Sequence, residues 1–230
     1  MNEGLQTVYP GAASSGAVAQ RNRVLRNTYW LLALSLVPTV LGAWVGITTG
    51  IMSSMGMGMS AIIFLGGAFG FIYAIERTKQ SSTGVVVLLA FTFFMGLMLS
   101  RMLAAVLGFS NGASLIMMAF GGTAAIFAAM ASLSTVIKRD LSNMGKFLFV
   151  GAILLLVVGV INIFVQSSAL MITVAVLAIG IFSAFMLYDL KRIIDGGETN
   201  YISATLGIYL SIYNVFQSLL ALFGIFGGED

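Results

Sequence analysis

The stretch YDLKRIIDGGETNY, residues 188–201, holds five charged residues in a chain that is only 8% charged, and it sits between two long apolar runs. Its first acid, Asp189, falls where an apolar segment ends. A carboxylate there faces a helix C-terminal dipole and low-dielectric surroundings, both of which disfavour its charge. Lys191 and Arg192 act in the opposite sense, and Arg192 at i+3 is placed to pair with it. Two readings stay open: a surface Asp in an interfacial ion pair, or a buried proton-responsive group.

The rest of the titratable inventory narrows the chemistry. With no Cys and no His, the chain lacks thiolate nucleophiles, the usual metal ligand and the usual near-neutral pH switch. Proton sensing therefore falls to carboxylates. An intramembrane serine protease needs a base beside its Ser, and an aspartyl type needs two facing carboxylates. Apart from Asp189 no Asp or Glu lies within a predicted span, so catalysis is not expected, and neither is a cofactor or a resident metal.

A second constellation lies just downstream. At 100° per residue, Ser203, Gly207, Ser211, Asn214 and Ser218 fall within roughly 80° of one another, and Gln217 widens that stripe. Polar groups facing hydrocarbon are costly, so this face should look into a bundle, where it serves interhelical hydrogen bonding or lines a hydrated path. Asp189, Ser211 and Asn214 are thus the candidate proton- or ion-responsive residues. Arg192, and Arg77 from the segment Glu76-Arg77 that could fold back, are their candidate ion-pair partners.

These residues must be held by membrane-spanning helices. The chain is 59% hydrophobic with a mean hydropathy of +1.04, against the quarter or so of charged residues usual in soluble domains. A span needs roughly 20 mostly apolar residues. Cutting at polar clusters gives seven, at about 29–49, 57–75, 84–107, 113–136, 147–166, 168–188 and 203–226. The weakest boundary is Gln166-Ser167-Ser168, the only punctuation between the fifth and sixth. With the N-terminus cytoplasmic and the C-terminus outside, ten of the 11 basic residues reach the inner face, leaving Arg101 to snorkel at the outer one. That bias reads as orientation in the membrane; the scattered cations do not suggest nucleic acid.

Residues 1–28 read as a polar, disordered cytoplasmic tail with no secretory signal, and 29–230 as one seven-span domain. Small residues at helical spacing are expected to pack within the bundle: Gly66, Gly70 and Ala74; Gly96, Ser100, Ala104 and Gly108; Gly121, Ala125 and Ala129. In the loops, Gly196-Gly197 supplies a free positive φ, Thr199 or Asn200 a cap for the last helix, and Asp140 a cap for the fifth.

The segments RVLRNTYWLLALSL, FGGTAAIFAAMA, IKRDLSNMGKFLFVGAILLLVVGVINIF and YDLKRIIDGGETNYISATLGIYLSIYNVFQSLL, in order across most of the chain, resemble the Bax inhibitor-1 family. GGETNYI is similar to the bacterial subgroup that includes modulators of the membrane-bound AAA protease FtsH. The resemblance implies an all-α membrane fold in which six helices surround a central seventh. It also implies a pH-sensitive calcium leak built on one Asp near the end of the sixth helix and another on the seventh, with an Arg from the second able to join them. The first matches Asp189, while the second position is Ser211 in this chain, and Arg77 is the candidate Arg. One titratable group beside a neutral hydroxyl is a poorer dication site than two carboxylates.

Two functions follow as expectations. The first is a multi-pass inner-membrane protein that modulates an FtsH-type protease by protein–protein interaction, with the N-terminal tail as a handle. The alternative is a calcium, cation or proton leak gated by protonation of Asp189.

Overall fold

The computed structural model describes the backbone of residues 10–228, with side chains from Gly16 onward. Among the described residues there is no strand. Eight helices follow one another: α1 (Pro10–Thr49), α2 (Ile51–Ser54), α3 (Met57–Thr78), α4 (Ser82–Leu107), α5 (Gly112–Val136), α6 (Met144–Val165), α7 (Ser168–Ile194) and α8 (Tyr201–Gly227). All but the one-turn α2 are long and apolar enough to cross a membrane. The shortest of these, with 22 residues, extends about 33 Å at 1.5 Å per residue, enough for a hydrocarbon core of about 30 Å.

Each break has a local cause. Gly50 at φ 64° ends α1, and Gln166 at φ 53° ends α6. The uncharged turn after Gln166 is closed by side chains: Asn162 Oδ1 accepts from the Ser167 amide, and Ser167 Oγ accepts from the Leu170 amide. A run with almost no punctuation in sequence is thereby split into two antiparallel spans. Arg101 donates to the Met55 carbonyl in the turn between α2 and α3 (3.2 Å), anchoring that end of α4.

The stretch expected to be a disordered tail is helical from Pro10 on, and its first nine residues lie outside the described ones. The reason is a set of partners the sequence does not advertise. Val24 and Thr28 are buried, and the Arg21 guanidinium donates to the Ile194 carbonyl (2.9 Å) at the C-terminal end of α7. A cation on those last carbonyls also meets the negative end of the α7 dipole.

α8 packs against α1, α3, α4, α5 and α7, whereas α6 stands outside, against α7 and α3. No residue of α8 from Tyr201 to Gly224 is exposed. This is the central helix anticipated from its polar stripe. Around it, α1 and α4 are in backbone contact: a methyl added at Gly42 would strike the Phe93 carbonyl, one at Gly96 the Thr39 carbonyl, and one at Gly46 the Ser100 side chain.

The other small-residue stripes behave differently. Gly66, Gly70 and Gly121 have open space where a Cβ would be, so the packing expected of them within the bundle is absent. α3 instead turns Gly67 towards α4, against the Phe94 ring. Gly96→Ala is therefore expected to destabilise the fold by about 1–3 kcal/mol, since backbone must move. Gly70→Ala should be neutral or slightly stabilising. Reversible unfolding in mixed micelles, followed by far-UV circular dichroism, distinguishes the two.

Candidate functional site between α7 and α8

The inward face of α7 near its C-terminus is formed by Met186, Leu190 and Ile193, all fully buried, and Asp189 projects among them, itself partly buried. Its carboxylate lies against α8 at Gly207, where an added methyl would sit 2.8 Å from Oδ2 and 3.3 Å from Cγ. A side chain at this position would require the Asp189 carboxyl group to move. The acid of the sixth span thus stands directly on the polar stripe of the seventh.

The candidate counter-ions are engaged elsewhere. Arg192 pairs with Glu198 (3.2 Å) rather than with Asp189, and Lys191 pairs with Asp195. Arg77 does not fold back: it is exposed, with Nε donating to Tyr73 Oη (3.1 Å) and the guanidinium stacked over the Tyr73 ring at 5.2 Å. Lys79 is held by Glu76. The Arg77 and Lys79 contacts are local in sequence and need little chain ordering, so they prevail over reaching Asp189 across the bundle, whereas Arg192 turns to Glu198 because the loop folds the Glu198 amide back onto the Arg192 carbonyl. Among the described residues, Asp189 has neither a hydrogen bond nor an ion pair.

Ser211 is buried one turn above Gly207, but its hydroxyl donates to the Gly207 carbonyl of its own helix (3.1 Å). Asn214 likewise donates to the Leu210 carbonyl (2.8 Å). Both satisfy themselves along α8 and neither is held by Asp189. One turn below Gly207, the Ser203 hydroxyl is buried with no hydrogen-bond partner. The site is therefore one acid against Gly207, with an idle hydroxyl one turn away on α8. Among the described residues, no group of three or more acidic ligands could hold a metal ion.

The loop between α7 and α8 fixes this register. Gly196 takes φ 81°, and the Gly197 and Glu198 amides donate back to the Arg192 carbonyl, closing the end of α7. Asn200 then caps α8, accepting from the Ile202 (2.9 Å) and Ser203 (3.1 Å) amides while donating to the Lys79 carbonyl (2.8 Å). Asn200→Ala is expected to cost about 1 kcal/mol of unfolding free energy, and Asn200→Asp less, since it keeps the acceptor. The same unfolding assay reads both. Asp140, by contrast, does not cap α6, which begins at Met144. Its carboxylate accepts from the Ser142 amide (2.8 Å), which holds its pKa below the usual range.

The opposite side of α8 carries residues that the stripe concealed. Tyr209 Oη lies 2.9 Å from Thr39 Oγ1 on α1 and 3.5 Å from the Thr92 carbonyl on α4, while Tyr213 Oη donates to the Met95 carbonyl (3.3 Å). Thr205 Oγ1 reaches the Thr28 carbonyl on α1 at 3.4 Å. Two tyrosines at i and i+4 in a predicted span were the available signal, because a buried phenol needs a partner.

The arrangement, a seven-span bundle with an unpaired acid of α7 on a glycine of α8, coincides with a match to the family model described as Inhibitor of apoptosis-promoting Bax1, over residues 21–228. The chain belongs to the Bax inhibitor-1 family. Curated relatives match nearly end to end. A membrane protein of Vibrio cholerae is 37% identical, over 92% of this chain and 93% of the relative. The Escherichia coli K12 protein named Modulator of FtsH protease YccA is 37% identical, over 91% and 92% respectively. Its counterpart in Escherichia coli O6:H1, named Inner membrane protein YccA, aligns to the same extent. The family match begins at Arg21, the residue that closes α7, so the packed part of α1 falls within the Bax inhibitor-1 homology.

Proposed function

We propose that this chain is an inner-membrane modulator of membrane proteolysis, acting on an FtsH-type AAA protease or its substrates through protein–protein contact. The observation that carries this reading is the near full-length similarity to a relative named as a modulator of that protease. The bundle supports it: its outer faces carry many exposed apolar side chains, as suits a scaffold that presents surfaces within a bilayer. The N-terminus is cytoplasmic in this reading, since the start of α1 and the α3–α4, α5–α6 and α7–α8 connections together with the helix ends that flank them gather ten of the 11 basic residues. The N-terminal segment then serves as the handle for the protease. Turnover of a membrane-protein substrate should slow on overproduction of the chain and speed up on its deletion. Removal of residues 2–20 should abolish the effect, and turnover that ignores both deletion and overproduction refutes the proposal.

A second reading is favoured by one observation, the unpaired carboxylate of Asp189 against Gly207 with the idle Ser203 hydroxyl beneath it. In that reading the α7–α8 seam admits protons or cations when Asp189 changes protonation. Liposomes holding the protein should pass calcium or protons in a pH-dependent way across pH 5 to 8, and Asp189→Asn should remove that dependence. Flux no greater than that of empty liposomes excludes the leak without touching the modulator.

A further inference from the structure

The outward face of α1 changes its chemistry along its length. At 100° per residue, Arg23, Arg26, Trp30, Leu34, Leu41 and Trp44 fall within roughly 80° of one another, and all six are exposed. Cations come first, an indole follows at i+4 from Arg26, aliphatic side chains come next, and a second indole ends the stripe. α1 lies beside α5 at this level, with the Tyr29 ring edge-on to Phe127 at 6.2 Å.

The charge balance at this end of the bundle is one-sided. Glu76, Asp195 and Glu198 are each taken by a cation, and the Asp140 carboxylate accepts from the Ser142 amide. Arg23 and Arg26, with Lys138 and Arg139 from the α5–α6 connection and Lys146 from the first turn of α6, are exposed and have no ion pair or hydrogen bond among the described residues. Such cations stand at the depth of lipid phosphates when the apolar stripe below them lies in hydrocarbon, and an indole one turn deeper belongs at the headgroup boundary.

We propose that Arg23, Arg26 and Trp30 form a binding site for an anionic phospholipid headgroup. The two guanidinium groups donate to the phosphate, the indole covers the glycerol and upper acyl region, and Lys138 and Arg139 add positive field from the neighbouring helix end. Arginine suits this task because its fork of donors matches phosphate oxygens. The bound lipid would brace the segment of α1 that carries Arg21 onto the end of α7.

The chain has two Trp residues, so each end of the stripe can report separately. In Trp44→Phe protein, fluorescence of Trp30 is quenched by brominated phosphatidylglycerol or brominated phosphatidylcholine in phosphatidylcholine vesicles. The expected relative binding constant favours the anionic lipid by about fivefold or more, from about 1 kcal/mol per engaged cation. It should fall to near unity in Arg23→Gln/Arg26→Gln protein with unchanged circular dichroism, and Trp44 in Trp30→Phe protein should show no preference. Equal quenching of Trp30 by both lipids overturns the proposal, as does a preference that survives the double substitution. Loss of the preference on adding inorganic phosphate at matched ionic strength would assign the site to free phosphate instead of lipid.

Discussion

Tyr209→Ala should lower the unfolding free energy by about 3–5 kcal/mol, the range for deleting a large buried ring, while Tyr209→Phe should lower it by about 1 kcal/mol. Tyr209 is 2% exposed and sits at the junction of α8 with α1 and α4. Its ring packs edge-on to Phe91 at 6.2 Å and lies 6.3 Å from Tyr213. In a bilayer the hydrophobic effect does not hold helices together; close packing and interhelical hydrogen bonds do. Removing the ring opens a cavity between three helices, whereas removing the hydroxyl alone leaves Thr39 Oγ1 still donating to the Ser35 carbonyl. Unfolding in mixed micelles by circular dichroism measures both variants. Equal small losses would mean that α8 is not held at the centre by this side chain.

The second large effect is expected at Gly207. Gly207→Ala places a methyl 2.8 Å from Asp189 Oδ2 and 3.3 Å from its Cγ. Either the Asp189 carboxyl swings away from α8 or the seam between α7 and α8 opens, at a cost of up to about 3 kcal/mol. Because the obstacle is one carboxyl group, Asp189→Ala in the same chain should restore most of the loss, a coupling of roughly the size seen for residues in contact. The four variants of this cycle, unfolded side by side, decide the matter. Additive losses would place Asp189 away from Gly207.

Hydropathy made the seven spans legible, since runs long enough to span a bilayer are set by thickness and leave little freedom, but not the helical start of α1 from Pro10, whose partners lie elsewhere in the chain. Even the uncharged turn at Gln166 could be located from three polar residues. The interior position of α8 was legible for the same reason: Ser211, Ser218 and Asn214 on one side of a span have no cheap place but inside. What the sequence withheld was pairing. Lys191 and Arg192 lie in the last turn of α7 and Asp195 and Glu198 follow within a few residues, so several pairings satisfy the same charges; the turn at Gly196 selects Arg192 with Glu198 and leaves Asp189 alone. Arg77 was equally ambiguous, because a cation at a span end is as well served by Tyr73 one turn away as by an acid across the bundle. Glycine stripes failed in a similar way: Gly96 and Gly66 look alike as letters, and only the neighbouring helix distinguishes a contact from an open face.

The claim on which the rest depends is that the acid of α7 touches α8 inside the bundle. A chain without Cys allows a direct test by pairing Asp189→Cys with Gly207→Cys and oxidising in native membranes. The expected result is an intramolecular disulfide in high yield, formed by this pair and not by Asp189→Cys with Gly224→Cys at the far end of α8. Two thiols that stay reduced, and that both react readily with a water-soluble maleimide, would contradict it.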